Sequence, residues 1–321
     1  SSGVIEIFST PNSFAALKDD GSVVTWGLSF GGGDSSSVSS QLTSGVVDIY
    51  SSAFAFAAVK DDGSVITWGS PDYGGDSSSV SSQLTSGVVD ISSTNCAFAA
   101  LKSDGSVVVW GGAAPSQYPR GCGGDASGYS TELSSNVVSI TASRQAFAAL
   151  KSDGSVIAWG DSAYGGVLGV DNNGYDSQIA ADLSSGVTEV FSNIYAFVAL
   201  KTDGSVVSWG SSSSGAVLPN SGTDLSSGVT TIFSSVSSDI FVALKSDGSI
   251  ISWGGLWNGG NGDFSSGIIH VEIIQNDIAA LKSDGSISTT INQAPSGLNS
   301  GVTEIFSTQN AFAALKSDGS V

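Results

Sequence analysis

The sequence predicts an all-β fold, a β-propeller of three- to four-stranded antiparallel blades, and three observations carry that expectation. A segment of the form A-F-A-A-L-K-(S/D)-D-G-S-V-V-x-W-G recurs eight times, with turn glycines at Gly21, Gly63, Gly105, Gly154, Gly204, Gly248, Gly285 and Gly319. A period near forty residues marks one supersecondary unit that is stacked or arranged radially. Each Asp-Gly pair stands at one phase between two short runs rich in β-branched and aromatic residues. No stretch keeps apolar residues at spacings of three and four, and the 42 glycines penalise helix throughout.

The third copy shows the unit. Residues 97–102 (A-F-A-A-L-K) form one strand, Ser103-Asp104-Gly105 turn the chain, and 106–111 (S-V-V-V-W-G) return it. Asp-Gly is expected to supply the positive φ angles of a tight hairpin turn. Upstream runs at 46–49, 88–91 and 136–140, introduced by Ser-Gly or Ser-Asn, read as a further strand. The spacing of Val38 with Leu42, and of Val80 with Leu84, suggests a fourth strand after W-G. So small a sheet is marginal alone. Radial packing of blades buries its faces and shields its edges, and small Ala99 and Ala148 beside Phe98 and Phe147 suit that packing. Residues 1–321 are therefore read as a single repeat-built domain. Because both ends fall inside the repeat, a segment of a longer array is expected.

Composition narrows the partners. Ten Lys and Arg stand against 29 Asp and Glu, a formal charge of -19, which repels nucleic-acid phosphates and anionic membranes. Eight cations are the repeat lysines Lys18, Lys60, Lys102, Lys151, Lys201, Lys245, Lys282 and Lys316, leaving Arg120 and Arg144 as the variable positive charges. No basic patch can be built from two arginines, so nucleic acid is excluded as a partner. No apolar run approaches the eighteen residues of a spanning helix, and no membrane insertion is expected. Cys96 and Cys122 are either a disulfide or two thiols.

The pattern L-x-x-D-G-x-V-x-x-W-G, then Gly-Gly, then L-x-S-G-V-x-x-I, resembles the repeat of the regulator of chromosome condensation superfamily. In the second copy the matching positions are Val59, Asp62, Gly63, Val65, Trp68 and Gly69, with Gly74-Gly75 downstream and Gly87-Val88 opening the next copy. The resemblance implies a seven-bladed propeller and, for function, guanine-nucleotide exchange on a small GTPase with chromatin docking. Three departures stand against it. Ser13, Asn95 and Gln145 lie where the family has Gly and His, so the inner hydrogen bonding must be replaced; copy seven reads S-I-S-T-T-I without Trp; and the eighth reaches Val321 before its W-G. Seven blades are favoured, eight are the alternative, and a third reading pairs the extra terminal hairpin with another chain.

Among chemistry-bearing residues, the six repeat tryptophans read as blade packing, and the lysines as partners of the Asp two or three residues on. His270 is the one histidine and reads as a strand residue without a catalytic role; with no second histidine or cysteine cluster, no metal is expected. The loop 171–176 fails calcium-loop spacing because Tyr175 falls where an oxygen ligand should be. No cofactor is implied. Residues 32–49 and 74–91 are identical, whereas the linkers at 113–136, 161–186 and 255–267 diverge and bring in aromatic residues. Tyr118, Arg120, Tyr164, Tyr175 and Trp257 are the candidate partner contacts, being of the types that anchor interfaces. The favoured reading is a non-enzymatic scaffold presenting loops to a protein or glycan, extracellular or secreted, in an assembly or filament that self-associates through terminal hairpins. The alternatives are an exchange or adaptor module and an enzyme of unknown type.

Overall fold

The computed structural model describes residues 2–112, 121–168, 170–171, 174–175, 177–218, 225–235, 238–255, 264–274, 277–291, 297–308 and 311–321, the side chains of 170, 171, 174, 175 and 177 excepted. Candidate contacts Tyr118, Arg120 and Trp257 lie outside the described residues. The chain is all-β and forms β-propeller-type blades, divided between two compact units, 1–167 and 168–321. Copies one to four lie in the first unit and copies five to eight in the second.

Seven copies are three-stranded antiparallel sheets whose strands run in chain order. In copy two these are Val46–Ser51, Ala55–Lys60 and Val65–Gly69; in copy five, Val187–Ser192, Ala196–Lys201 and Val206–Gly210. The eighth copy pairs Val302–Ser307 with Phe312–Lys316. Among the described residues the blade count is therefore eight, the last of two strands, not the favoured seven. In copies one to seven the Asp-Gly turn joins the second and third strands, and copy seven completes a sheet through Ile287–Thr289 although it has no Trp.

The fourth strand is corrected. Where it was expected, Ser36–Val38 and Ser78–Gln83 are 3-10 turns. Asp34 and Asp76 each accept the backbone N–H two residues on, at 2.9 and 2.8 Å. That Asx bond starts a helical turn in a run of serines with little β propensity. Leu42 and Leu84 are still buried, as caps on the core.

The hairpin turn also differs from expectation. Only its glycine has a positive φ, 73° at Gly63, and Asn136 is the one described non-glycine residue in that region, at 65°. The turn is a four-residue i to i+3 turn, with Gly63 N–H donating to Lys60 O at 2.9 Å or less. Asp62 stays right-handed because its carboxylate accepts the Ser64 N–H at 2.8 Å. A Cβ on Gly63 would come within 2.5 Å of the Gly87 nitrogen. The turn of one copy thus lies against the opening of the next, where Val88 N–H donates to Gly63 O at 3.0 Å.

Neighbouring copies are joined chiefly by Trp and Gly. Within copy two, Phe56 and Trp68 pair across strands and stack at 5.3 Å. The Trp68 indole N–H donates to Gly32 O of copy one at 2.9 Å, and a Cβ on Gly32 would meet the Phe56 ring at 2.6 Å. Trp110 repeats the bond to Gly74, Trp159 to Gly123 and Trp253 to Gly215. This explains why W-G is followed by Gly-Gly: the first glycine lets the next copy's rings approach, and its partner packs on the W-G backbone, where a Cβ on Gly33 would lie 2.4 Å from Gly27.

Two further polar devices recur. The hydroxyls of Ser52, Thr94 and Ser143 donate to carbonyls of Tyr73, Cys122 and Tyr164 at 2.8 to 2.9 Å, and the Asn193 amide donates to Ser214 O at 2.7 Å. These buried bonds hold the turn after W-G. The repeat lysines are corrected: Lys60, Lys102, Lys151 and Lys201 donate to the carbonyls of Gln41, Gln83, Glu132 and Asp182 in the preceding linker. Lys18 does pair with Asp20, at 3.3 Å. The stem of each lysine is long enough to cross the sheet edge, where a carbonyl dipole at the end of a turn draws a cation.

Cys96 and Cys122 form a disulfide with Cα atoms 5.7 Å apart, both fully buried. It ties the entry of the second strand of copy three to the linker beyond its third strand.

Three outcomes follow for stability. Replacing Trp110 by Phe leaves the Gly74 carbonyl without its donor in a buried seam and removes ring volume, so unfolding free energy should fall by about 2 to 4 kcal/mol; urea denaturation followed by circular dichroism measures it. Opening the Cys96–Cys122 loop by double serine substitution should cost about 3 kcal/mol, seen as a lower melting temperature that reductant imposes on the parent protein but not on the variant. The turn aspartates Asp62, Asp104, Asp153, Asp203, Asp247, Asp284 and Asp318 are held below their ordinary value, chiefly by the serine hydroxyl two residues on and then by its N–H; Asp20 is lowered to about 2. Depressed folded values stabilise above the unfolded carboxylate value of about 3.9. The melting temperature should hold from neutrality to about pH 4 and fall progressively toward pH 2, a profile obtained by calorimetry across that range.

Candidate functional site

Constant and variable positions separate on the first strand of each copy. In copies two to eight its first and fourth residues are buried anchors, such as Val187 and Val190, Val229 and Ile232, and Ile268 and Val271; in copy one Val4 and Ile7 are exposed. The third and fifth residues change from copy to copy: Glu6 and Phe8, Asp48 and Tyr50, Asp90 and Ser92, Ser139 and Thr141, Glu189 and Phe191, Thr231 and Phe233, His270 and Glu272, Glu304 and Phe306. Alternation along the strand puts these two variable residues on one face. Copies hold their first strands side by side, as the Ser51 hydroxyl donating to Ser9 O at 2.9 Å, and Ser93 to Ser51 O at 2.8 Å, show in the first unit.

In the second unit this surface forms a cleft of about 350 Å³ lined by Phe191, Phe233, Ser234, Ser235, His270, Glu272 and Ser307. Glu272 is gripped at both oxygens: His270 Nε2 lies 3.1 Å from Oε1, and the Ser307 hydroxyl donates to Oε2 at 2.6 Å. A carboxylate only accepts, so His270 donates to it from Nε2. The imidazole meets Phe233 edge-on, with ring centroids 5.5 Å apart. His270 is about two-fifths exposed and Glu272 about one-quarter. The cleft therefore offers aromatic surface beside a fixed, partly exposed acceptor and a ring nitrogen.

That geometry does not make a nucleophilic relay. Glu272 stands between Ser307 and His270, so the hydroxyl donates to a carboxylate and not to an imidazole that could take its proton in attack. In the first unit, the Tyr50 hydroxyl donates to Asp90 Oδ1 at 3.0 Å. Burial first, and then Asp48 and Asp90, push the phenol well above its ordinary value, so it stays protonated at neutral pH. A wider groove of about 660 Å³ beside the third strand of copy three is lined by repeat-constant residues such as Lys102, Asp104 and Val107, which mark it as part of the frame.

Of the sequence-derived contacts, Tyr164 and Tyr175 fall among the described residues. Tyr164 closes the 3-10 turn Ser162–Tyr164, half-buried, its carbonyl taking the Ser143 hydroxyl; Tyr73, its counterpart in copy two, is buried edge-on to Phe54 at 4.7 Å. Tyr175 lies in the short strand Gly174–Tyr175, paired with Val170–Asp171. Phe191, Phe233, Glu272 and Ser307 were not singled out from sequence, although aligning the eight first strands with one another exposes them as breaks in a constant pattern. Among the described residues no group of three or more His, Cys, Asp or Glu is placed to hold a metal ion, and no helix is long and apolar enough to cross a membrane.

No family model matches the chain, and neither does any curated protein. Among solved structures it is similar to the computationally designed protein Ika8, at 16% identity over 99% of this chain and 94% of that one, with a TM-score of 0.42. It is also similar to Prp20p of Saccharomyces cerevisiae, at 16% identity over 76% and 71% with a TM-score of 0.46. A third is the CRINKLY WD40 ectodomain of the receptor kinase ACR4 of Arabidopsis thaliana, at 15% identity over 93% and 99% with a TM-score of 0.42. At such scores the blade assignment rests on the strands and their register.

Proposed function

We propose that this chain is a non-enzymatic binding scaffold, and that the cleft of its second unit takes a glycan. The observation that carries the reading is the cleft itself: on a frame whose buried positions repeat, Phe191 and Phe233 give flat apolar surface beside a His270–Glu272 pair locked by Ser307. A sugar ring has an apolar face that stacks on aromatics and hydroxyls that donate to a carboxylate. Preorganised groups of this kind bind without ordering cost. The buried disulfide supports an extracellular or secreted setting, since such bonds persist in oxidising compartments. A protein partner engages the same surface in the alternative reading.

The second functional class, exchange or adaptor work of the regulator of chromosome condensation type, is favoured by the L-x-x-D-G-x-V-x-x-W-G pattern. The charge of -19 opposes its chromatin-docking half. An exchange module accelerates nucleotide release from a small GTPase, whereas a scaffold leaves that rate unchanged.

The test is a glycan array followed by titration calorimetry on the strongest binder. Phe233→Ala and Glu272→Gln should each weaken binding at least tenfold while the melting curve stays cooperative. Absence of any glycan signal, or binding unchanged in both variants, would remove the reading.

A further inference from the structure

We infer that the groove beside the third strand of copy three, Val107–Gly111, takes an extended peptide that carries basic side chains next to apolar ones. The inference goes beyond the glycan reading: the groove lies within the first unit and needs no ligand in the cleft, and either can fail alone.

Other copies close the edge of that strand with their own linker. The first N–H of the third strand donates to a linker carbonyl in five of them: Val23 to Leu42 at 2.9 Å, Val65 to Leu84 and Val206 to Leu225 at 3.0 Å, Ile250 to Phe264 at 3.1 Å and Ile287 to Leu298 at 2.9 Å. Leu133 is the counterpart in copy three, since it follows Gly124 by the nine residues that separate Leu84 from Gly75. Yet among the described residues the Val107 N–H has no such acceptor. In copy two the 3-10 turn Ser78–Gln83 stops before Leu84, whereas in copy three the turn Glu132–Ser134 runs through Leu133. A carbonyl inside a helical turn points along the turn and not toward a strand. A second tie is missing as well. The Thr25 and Ser35 hydroxyls lie 2.9 Å apart and those of Thr67 and Ser77 3.0 Å, which latches linker to strand in copies one and two. Val109 and Ala126 occupy those positions in copy three.

The groove of about 660 Å³ is lined by Val107 and Val109 of the strand and by Val80 and Leu133 of the linkers. Frame residues surround it, and what differs from copies one and two is the loss of both ties. A backbone donor left open at a strand edge, beside apolar side chains, is what strand addition requires. A peptide carbonyl takes the N–H that Leu133 leaves, a peptide N–H gives to the Val107 carbonyl on the same edge, and alternate peptide side chains lie on the apolar lining. Charge selects the peptide. Asp104 and Asp125 line the groove, each accepting through Oδ1 the N–H two residues on at 2.9 Å. Both carboxylates are held below their ordinary value, Asp104 chiefly by the Ser106 hydroxyl and Asp125 chiefly by the Ser127 N–H. Lys102 is the one cation in the lining, and it donates to Gln83 O at 3.0 Å. Two carboxylates against one engaged ammonium, on a chain of charge -19, draw a basic peptide and repel an acidic one.

Fluorescence anisotropy with the labelled peptide Lys-Val-Lys-Val-Lys tests the assignment. The peptide should bind at least tenfold more tightly than Glu-Val-Glu-Val-Glu and weaken as salt rises. Methylating alternate backbone nitrogens separates strand addition from attraction of charge alone, because only one edge of the peptide pairs with the protein: one methylated set should abolish binding and the other should leave it nearly unchanged. Val109→Thr combined with Ala126→Ser, which installs the hydroxyl latch of copies one and two, should weaken binding at least tenfold while the melting curve stays cooperative. No binding of the lysine peptide up to about 1 mM, two methylated sets that behave alike, or a latched variant that binds like the parent would overturn the proposal.

Discussion

The seam between neighbouring copies is the constraint on which the rest of the structure depends. A sheet of three short strands cannot bury its own faces, and stability comes from laying one sheet against the next. Here that contact is built from a stacked Phe and Trp, a glycine with no side chain to keep the rings away, and one hydrogen bond from indole to carbonyl. Geometry at the seam dictates composition. Where Trp is present it supplies the donor and the area, and glycine faces it because a Cβ would intrude on the stacked Phe ring. The Ser-Gly-Val opening must lie against the preceding turn, because the N–H of that valine pairs with the turn glycine's carbonyl.

Function then belongs to what the seam leaves free. From copy two onward first strands spend their first and fourth residues on the core, while the third and fifth vary without cost to the frame. In the second unit those positions are filled by Phe191, Phe233, His270 and Glu272, and the hydroxyl of Ser307 fixes the carboxylate. A rigid backbone with an interchangeable surface is what a recognition module needs, since the ligand meets groups already oriented by the fold. The same frame accounts for the buried serine, threonine and asparagine bonds to the turn after W-G, which satisfy carbonyls that would otherwise be buried unpaired.

Much of the frame was legible in the sequence because it repeats. Eight Asp-Gly pairs between β-rich runs announce hairpins, and the Gly-Gly after W-G announces a close approach. The expected fourth strand and the two-residue turn failed for local reasons: an aspartate side chain can hold its own backbone two residues on, which turns a serine run into a 3-10 turn and keeps the Asp of Asp-Gly right-handed. The lysines were matched to the nearest carboxylate in sequence, whereas all but Lys18 of those whose bonds are described reach a carbonyl nineteen residues upstream, which only pairing of strands brings near.

What the sequence determined by itself is the unit: strand, turn, strand, and the identity of the residues that a close contact demands, because these follow from local backbone preferences and from periodicity. Which aromatic residues are spent in a seam and which are exposed was decided by tertiary structure. Phe14 and Phe56 occupy the same repeat position, and so do Trp26 and Trp68, yet one pair is open and the other is closed. Burial is a property of the neighbour that covers a residue. Likewise His270 and Glu272 share one strand of copy seven, whereas Ser307 belongs to copy eight, and only the lateral packing of first strands places its hydroxyl on the carboxylate.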